Sequence, residues 1–400
     1  MSLLTAQPIT REAIAILHEK LDFIQSINRQ YDKSFFQTGA KNGTSLKIRV
    51  PNEYVIREGA AWVDQDTNEQ AETLVVATQL GVDSSISDLD LASSMDDFKS
   101  RILEPQMSVL ASIIEERALG DMTLDVANSV GTPGTTPGST ANQALLPWLQ
   151  AKQRLSENLA PGPYRAQIDG NASTYTINGL AGLYNEQRTL AKQFTEGFLL
   201  RNSGVDYMQN NRVKRLTLGS RADATVNGDN QGEAGTVIMA SAGVTATIKK
   251  GEIFTIADVY DVHPETKKSY GRLKQFVVTA DATSDGAEAV TVSISPTIVT
   301  TGARQNVDAA ALTGAVVTWA GTASTAYPVN LVYARDAFAF VAADLEKPKG
   351  MDMCYTANID NLPLRFIRWF DGGNGKWKSR FDVVIGYKTI RQNLACRVWG

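Results

Sequence analysis

The chain has 400 residues, 43% of them hydrophobic and 20% charged, with 39 lysines and arginines against 43 aspartates and glutamates. That apolar fraction with a net charge of -4 excludes an intrinsically disordered chain and leaves room for two or three cores, and no apolar run reaches the length of a membrane-crossing helix. Two cysteines, Cys354 and Cys396, and two histidines, His18 and His263, stand far from metal-ligand spacing, and the charge balance argues against a strongly basic reader of nucleic acid.

Met1 to Thr10 lacks a basic residue and has only the adjacent pair Leu3 and Leu4, so no secretory leader is expected and the chain reads as cytosolic. Arg11 to Ile27 places Ile14, Leu17, Leu21, Ile24 and Ile27 at steps of three and four, an amphipathic helix whose stripe packs on its own domain or on a neighbour. From Thr38 to Glu58, Leu46, Ile48 and Val50 alternate with Lys47 and Arg49. This predicts a half-exposed strand with a return arm over Glu72 to Val82. Such a ribbon cannot bury both faces alone, so it should lie on another chain or domain. Ser94 to Val130 is the longest helical pattern, capped by Ser94 with Asp96 and Asp97 in its first turn and kinked at Pro105.

Two Thr-Pro-Gly triplets at 132–134 and 136–138 then break the chain, and Ser139 can cap a second helix through Leu145, Leu149 and Leu155. Gln187 to Arg201 reads as a further helix. Composition changes near Leu216. From there to Pro328 valine, isoleucine and threonine dominate, punctuated by glycine, with strands over Thr236 to Met239, Ile253 to Asp261, Leu273 to Thr279 and Ala289 to Ile294. This is a separate barrel or sandwich. Arg365 to Phe370 and Arg380 to Tyr387 flank Gly372, Gly373 and Gly375 as a hairpin, and the last strands rejoin the earlier helical part, so the β unit is inserted rather than appended.

Catalytic constellations are thin. Neither histidine has a nucleophile or acid in triad context, and both read as surface or capping groups. The Gly372 to Lys376 run lacks the first glycine of a phosphate loop, where Phe370 stands, and has Trp377 in place of the magnesium-binding hydroxyl. Adjacent carboxylates such as Glu115 and Glu116 diverge on a helix and read as solvated. Basic residues of the last forty, among them Arg365, Arg368, Lys376, Lys378 and Arg380, interleave with Trp369, Trp377 and Phe381. Alternation should turn the aromatics inward and the cations outward; stacking on single-stranded nucleic acid is the other reading.

The insert carries Ile248-Lys249-Lys250-Gly251-Glu252-Ile253-Phe254-Thr255-Ile256-Ala257-Asp258-Val259-Tyr260, then Gly271 to Thr279 and Val292 to Pro296; Asp336 to Ala339 and Val383 to Tyr387 follow. In these stretches and their order the chain resembles the major coat protein of short-tailed, Salmonella-type bacteriophages, built on the Hong Kong-type capsid fold. The resemblance implies an α+β protein with an N-terminal helical arm (1–37), an extended β loop (38–93), a spine helix (94–131), a first axial segment (132–215), an inserted telokin-like β-barrel (216–330) and a returning core (331–400). It implies a non-enzymatic major capsid protein. Copies would form hexamers and pentamers of an icosahedral shell in the virion, assembled in the bacterial host cytoplasm with a scaffolding protein and a portal protein. The shell would later enclose double-stranded DNA through non-specific contacts, with no cofactor, metal or membrane. Carried onto this sequence, Asp229 and Glu233 match an acidic loop that reaches the adjacent capsomer, and Lys41, Lys47, Arg49, Arg57 and Trp62 lie in the loop that laps a neighbouring subunit. The residues by themselves leave open a polymer-acting hydrolase with an accessory β domain, or a nucleic-acid-binding module using the basic C-terminal strands.

Overall fold

A computed structural model describes residues 6–29, 45–60, 62, 64, 69–86, 99–140, 143–180, 201–373 and 376–400. They form two compact units, one of Met1–Arg49, Ala71–Ala118 and Phe338–Ile390, the other of Val50–Gln70, Leu119–Ala337 and Arg391–Gly400.

The first unit is built on a five-stranded antiparallel sheet running Phe338–Ala343, Lys376–Thr389, Leu362–Asp371, Met353–Ile359, with Thr78–Ile86 also paired to the long Lys376–Thr389 strand. The predicted hairpin at 365–387 is present. The N-terminal stripe forms two helices, Ala6–Glu19 and Asp22–Ser26; all five of its apolar positions are buried, and the first helix packs on the strands Met353–Ile359 and Leu362–Asp371 of the same unit. The break follows from a competing acceptor: the Phe23 amide donates to the carboxylate of Glu115 at 2.8 Å. Glu115 is therefore fully buried as a cap in the core, which corrects its reading as a solvated face; Glu116 is exposed.

The return arm predicted as one strand is two. Gln70–Val75 pairs with Ser45–Val50, and Thr78–Ile86 joins the sheet. The chain changes partner where it crosses Gly386, at which a Cβ would stand 2.5 Å from the Val75 carbonyl oxygen. Ile48, Leu74 and Val76 pack with Ala339 and Val341, while Lys47 and Arg49 point outward, as the alternation requires. The spine helix is a π-helical turn, Lys99–Leu103, followed by an α-helix, Glu104–Leu124, rather than one rod to Val130. Pro105 stands in the first turn of that α-helix, where its missing N–H is not needed. Met107, Leu110 and Ile114 face the core, and Val109 and Ile113 of the neighbouring line are exposed. Ser94, Asp96 and Asp97 lie outside the described residues.

The second unit holds a seven-stranded mixed sheet in the order Ser129–Val130, Ala395–Trp399, Ala326–Ala334, Tyr164–Ile168, Val205–Gln209, Arg201–Asn202, with Arg215–Thr217 also paired to Ala326–Ala334. A sheet at the centre of a region read as α-rich is a correction. Its strands are short and lack a clean two-residue alternation because several are covered on both faces. The helix after the Thr-Pro-Gly triplets runs Leu146–Glu157, with Pro147 in its first turn and no side-chain cap, so Ser139 does not start it. A helix not predicted, Gly170–Leu180, follows Tyr164–Ile168, and the predicted helix over Gln187 to Arg201 falls outside the described residues but for Arg201.

From Ala224 to Trp319 six antiparallel strands close into a barrel, ordered Thr236–Ala240, Val290–Ser295, Ser269–Val278, Ile253–Val262, Val316–Trp319, Ala224–Val226. All four nominated strands are among them. Inward alternation buries Val237, Met239, Phe254, Ile256, Phe276, Val278, Val292 and Ile294, with Phe254 against Trp319 at a ring separation of 5.1 Å. The chain reaches and leaves the barrel through one antiparallel ribbon, Thr217, Leu216 and Arg215 opposite Ala326, Tyr327 and Pro328.

Candidate functional site

The candidate functional surface is what the described side chains leave uncovered, together with what holds those surfaces rigid. Among the described residues no group of histidine, cysteine and acidic side chains could hold a metal, and no helix is long and apolar enough to cross a membrane. His18 pairs with Asp360 at 2.9 Å, and Nδ1 of His263 accepts the amides of Glu265 and Thr266 at 3.1 Å, a turn cap as expected. Cys354 and Cys396 are free, and burial pushes the Cys396 thiol up to about 12, away from thiolate chemistry. Around Gly372 the chain makes a hairpin turn in which the Asp371 carboxylate accepts the Gly373 amide at 3.1 Å.

Among the described residues, the segment between the ribbon strands carries the most exposed large apolar side chains. Ile56 is 87% exposed, Trp62 85% and Tyr54 60%, within nine residues of chain. Single exposed apolar groups are ordinary, but three large ones on one excursion make it a candidate interaction surface. Arg57 donates to the Gly59 carbonyl at 2.8 Å and shapes the turn, and Glu53 approaches Lys267 at 4.0 Å. Lys47 and Arg49 share the outward face of their strand, and Lys41 lies outside the described residues.

Asp229 and Glu233 sit on the turn between the first two barrel strands. Asp229 accepts the Thr313 amide at 2.9 Å, and this hydrogen bond holds its carboxyl below the ordinary range. Glu233 is exposed. The turn is thus pinned to the 308–315 loop at one end and presents carboxylates to solvent.

Sequence reasoning missed the buried charges that brace the barrel. Asp261 accepts from Lys274 at 2.8 Å and Arg272 at 2.7 Å and has Arg154 at 3.9 Å, while Arg272 also pairs with Glu157; Arg154 and Glu157 belong to the Leu146–Glu157 helix. Burial alone would raise the Asp261 pKa, but Lys274 and Arg272 outweigh it and hold the carboxyl below its ordinary value. At the ribbon, Glu252 pairs with Arg221 in full burial and accepts the amides of Gly219 at 2.6 Å and Lys249 at 2.9 Å; Arg221 stacks on Trp319 at 4.8 Å. An apolar seam of Leu216, Leu218, Ile253, Val277, Tyr327 and Trp399 completes the attachment. The signal for these residues was an acid inside an apolar strand, at Glu252-Ile253-Phe254 and Tyr260-Asp261-Val262.

The basic C-terminal strands depart from the expected alternation. Phe366, Phe381 and Trp399 are buried, but Phe370 is 53% exposed, whereas Arg368 is buried, bonded to Asp352 at 2.5 Å and lying over Trp377 at 4.5 Å. Arg365 pairs with Asp382 at 2.7 Å, Lys378 with Asp371 at 2.5 Å and Arg380 with Asp83 at 2.6 Å. Cations paired in this way have little charge left for a phosphate backbone, which weakens the nucleic-acid reading.

No curated protein matches the chain. Among solved structures it is similar to that titled "Mycobacterium phage Che8", at 11% identity and a TM-score of 0.49, covering 93% of this chain and 89% of the other. It is also similar to the capsid of Myoviridae phage XM1, at 10% identity and a TM-score of 0.42, covering 95% and 92%. The CUS-3 coat protein I-domain matches at 26% identity and a TM-score of 0.19, covering 24% of this chain and 94% of that one. Those likenesses are loose, and the family match carries the assignment: the family described as "P22 coat protein - gene protein 5" matches residues 181–396, more than half of the chain, including the whole barrel and the returning strands as far as the start of the last one. The chain belongs to the P22 coat protein family and is a major capsid protein with an inserted barrel.

Proposed function

We propose that copies of this coat protein assemble in the bacterial host cytoplasm, with a scaffolding protein and a portal protein, into an icosahedral shell of hexamers and pentamers that later encloses double-stranded DNA through non-specific contacts. The exposed Ile56, Trp62 and Tyr54 carry the reading: they are surface that one chain does not bury, on an excursion long enough to lie on another copy. Lys47, Arg49, Arg57 and Trp62 are the contacts to the neighbouring subunit, with Lys41 in the same loop, and Asp229 and Glu233 face the adjacent capsomer. In this reading 216–330 is the inserted domain, 94–131 the spine and 1–37 the arm. The protein acts as a building unit and carries out no catalysis.

Coexpression with the cognate scaffold followed by electron microscopy tests it. Wild-type chain should give closed hollow shells, and Ile56→Ser with Trp62→Ser should leave dispersed subunits of unchanged fold. Shells formed equally well by that double variant would remove the excursion from the assembly contact.

A further inference from the structure

An open cavity of about 430 Å³ lies in the second unit beside the ribbon that leads into the barrel, with Leu124, Lys214, Arg215, Lys249, Lys250 and Asp281 in its wall. Two of its cations are compensated, Lys249 by Asp281 at 3.2 Å and Lys250 by Asp125 at 2.9 Å. Lys214 and Arg215 have no carboxylate partner among the described residues.

A fifth cation stands behind the wall. Arg397 is completely buried and donates to the carbonyl oxygens of Leu124 and Gly251, both at 2.6 Å, with no carboxylate in contact among the described residues. Burial pushes its pKa down to about 9, against the opposing pull of Asp125. Leu124 lines the cavity and Gly251 follows its Lys249-Lys250 edge, so the buried guanidinium adds its field to that of Lys214 and Arg215. Two cations without a carboxylate partner among the described residues, Lys214 and Arg215, line one space large enough for several linked oxyanion groups, with the hydroxyl-bearing Thr217 and Ser324 also in its wall and Arg397 behind it.

We propose that this cavity binds a multiply charged oxyanion of the phosphate class. A carboxylate would offset one charge; a di- or triphosphate, or consecutive phosphodiesters of a nucleic-acid backbone, would offset both Lys214 and Arg215. Bound there, it would tie the ribbon strand Arg215–Thr217 to the Lys249-Lys250 turn and the end of the spine helix, and so stiffen the barrel against its host sheet.

The test is calorimetric titration of the purified chain with inorganic pyrophosphate at constant ionic strength. One saturable site is expected. Lys214→Gln with Arg215→Gln should weaken it by about tenfold or more, and Asp281→Asn, which keeps an acceptor for the Lys250 amide but removes the competing charge, should tighten it. Should the double variant fold poorly, exposed Arg215→Gln alone gives the same direction. Competition with a short DNA duplex separates the sources: displacement of pyrophosphate assigns the site to a nucleic-acid backbone, and failure to displace assigns it to a free small anion. No saturable binding, or equal affinity in wild type and variants, overturns the proposal.

Discussion

Asp261→Asn changes one atom type at the junction of the barrel and the Leu146–Glu157 helix and separates a braced barrel from one merely leaning on its host. The carboxylate is almost fully buried and holds Lys274 at 2.8 Å and Arg272 at 2.7 Å, with Arg154 at 3.9 Å. A neutral amide leaves these cations desolvated, with only Glu157 to answer Arg272. Removing one partner from a buried pair costs about 3–5 kcal/mol, a large part of the roughly 5–15 kcal/mol that holds a domain folded. Asp83→Asn supplies the contrast in the first unit. Its pair with Arg380 at 2.6 Å is solvent-exposed, so the loss should be below about 1 kcal/mol despite the shorter distance. Urea unfolding followed by tryptophan emission and circular dichroism measures both. The Asp261 carboxyl titrates below its ordinary value in the folded chain, so its contribution is complete above about pH 4 and fades as the pH falls through the folded-state value. The gap between wild type and Asp261→Asn should close in acid. A gap under about 1 kcal/mol at neutral pH, or one unchanged in acid, would refute the account of this cluster as a desolvated brace.

Glu252→Gln leaves the Arg221 guanidinium buried without its counter-charge and should cost about 3 kcal/mol or more in the same assay. Replacing the pair by Arg221→Met and Glu252→Leu should not restore stability, because the Gly219 and Lys249 amides then lose their acceptor. Gly219→Ala places a Cβ 1.8 Å from the Thr247 carbonyl oxygen, so the barrel's ribbon cannot close and the yield of soluble chain should fall sharply. Trp62→Ala should shift the unfolding free energy of the unassembled chain by less than about 0.5 kcal/mol yet lower shell yield in sedimentation.

Local periodicity revealed the elements whose neighbours are close in sequence or whose faces differ sharply. The stripe from Ile14 to Ile27, the alternation at Leu46 to Val50, the barrel strands and the C-terminal hairpin were all readable. Features that depend on distant chain were not. Nothing near Val75 announces that a bare Gly386, some three hundred positions on, lets the return arm change partners. Asp261 escaped notice because the strand carries extra residues between Thr255 and Tyr260 with Asp258 in left-handed conformation, a bulge that shifts which side chains face inward. Of the contact candidates, Lys47, Arg49 and Trp62 stood out through exposure and pattern, whereas the ionic bracing and the basic cavity are made by segments far apart in the chain and left no local trace.

The two connections to the barrel lie side by side, Thr217 opposite Ala326. A guest whose ends are already neighbours asks nothing of its host's spacing, so excision with a short splice between those positions need not stretch the sheet beneath. By the same geometry a barrel of another size or a different fold could be grafted at this point, and what would change is the set of charges that steady it, leaving the course of the host chain as it was.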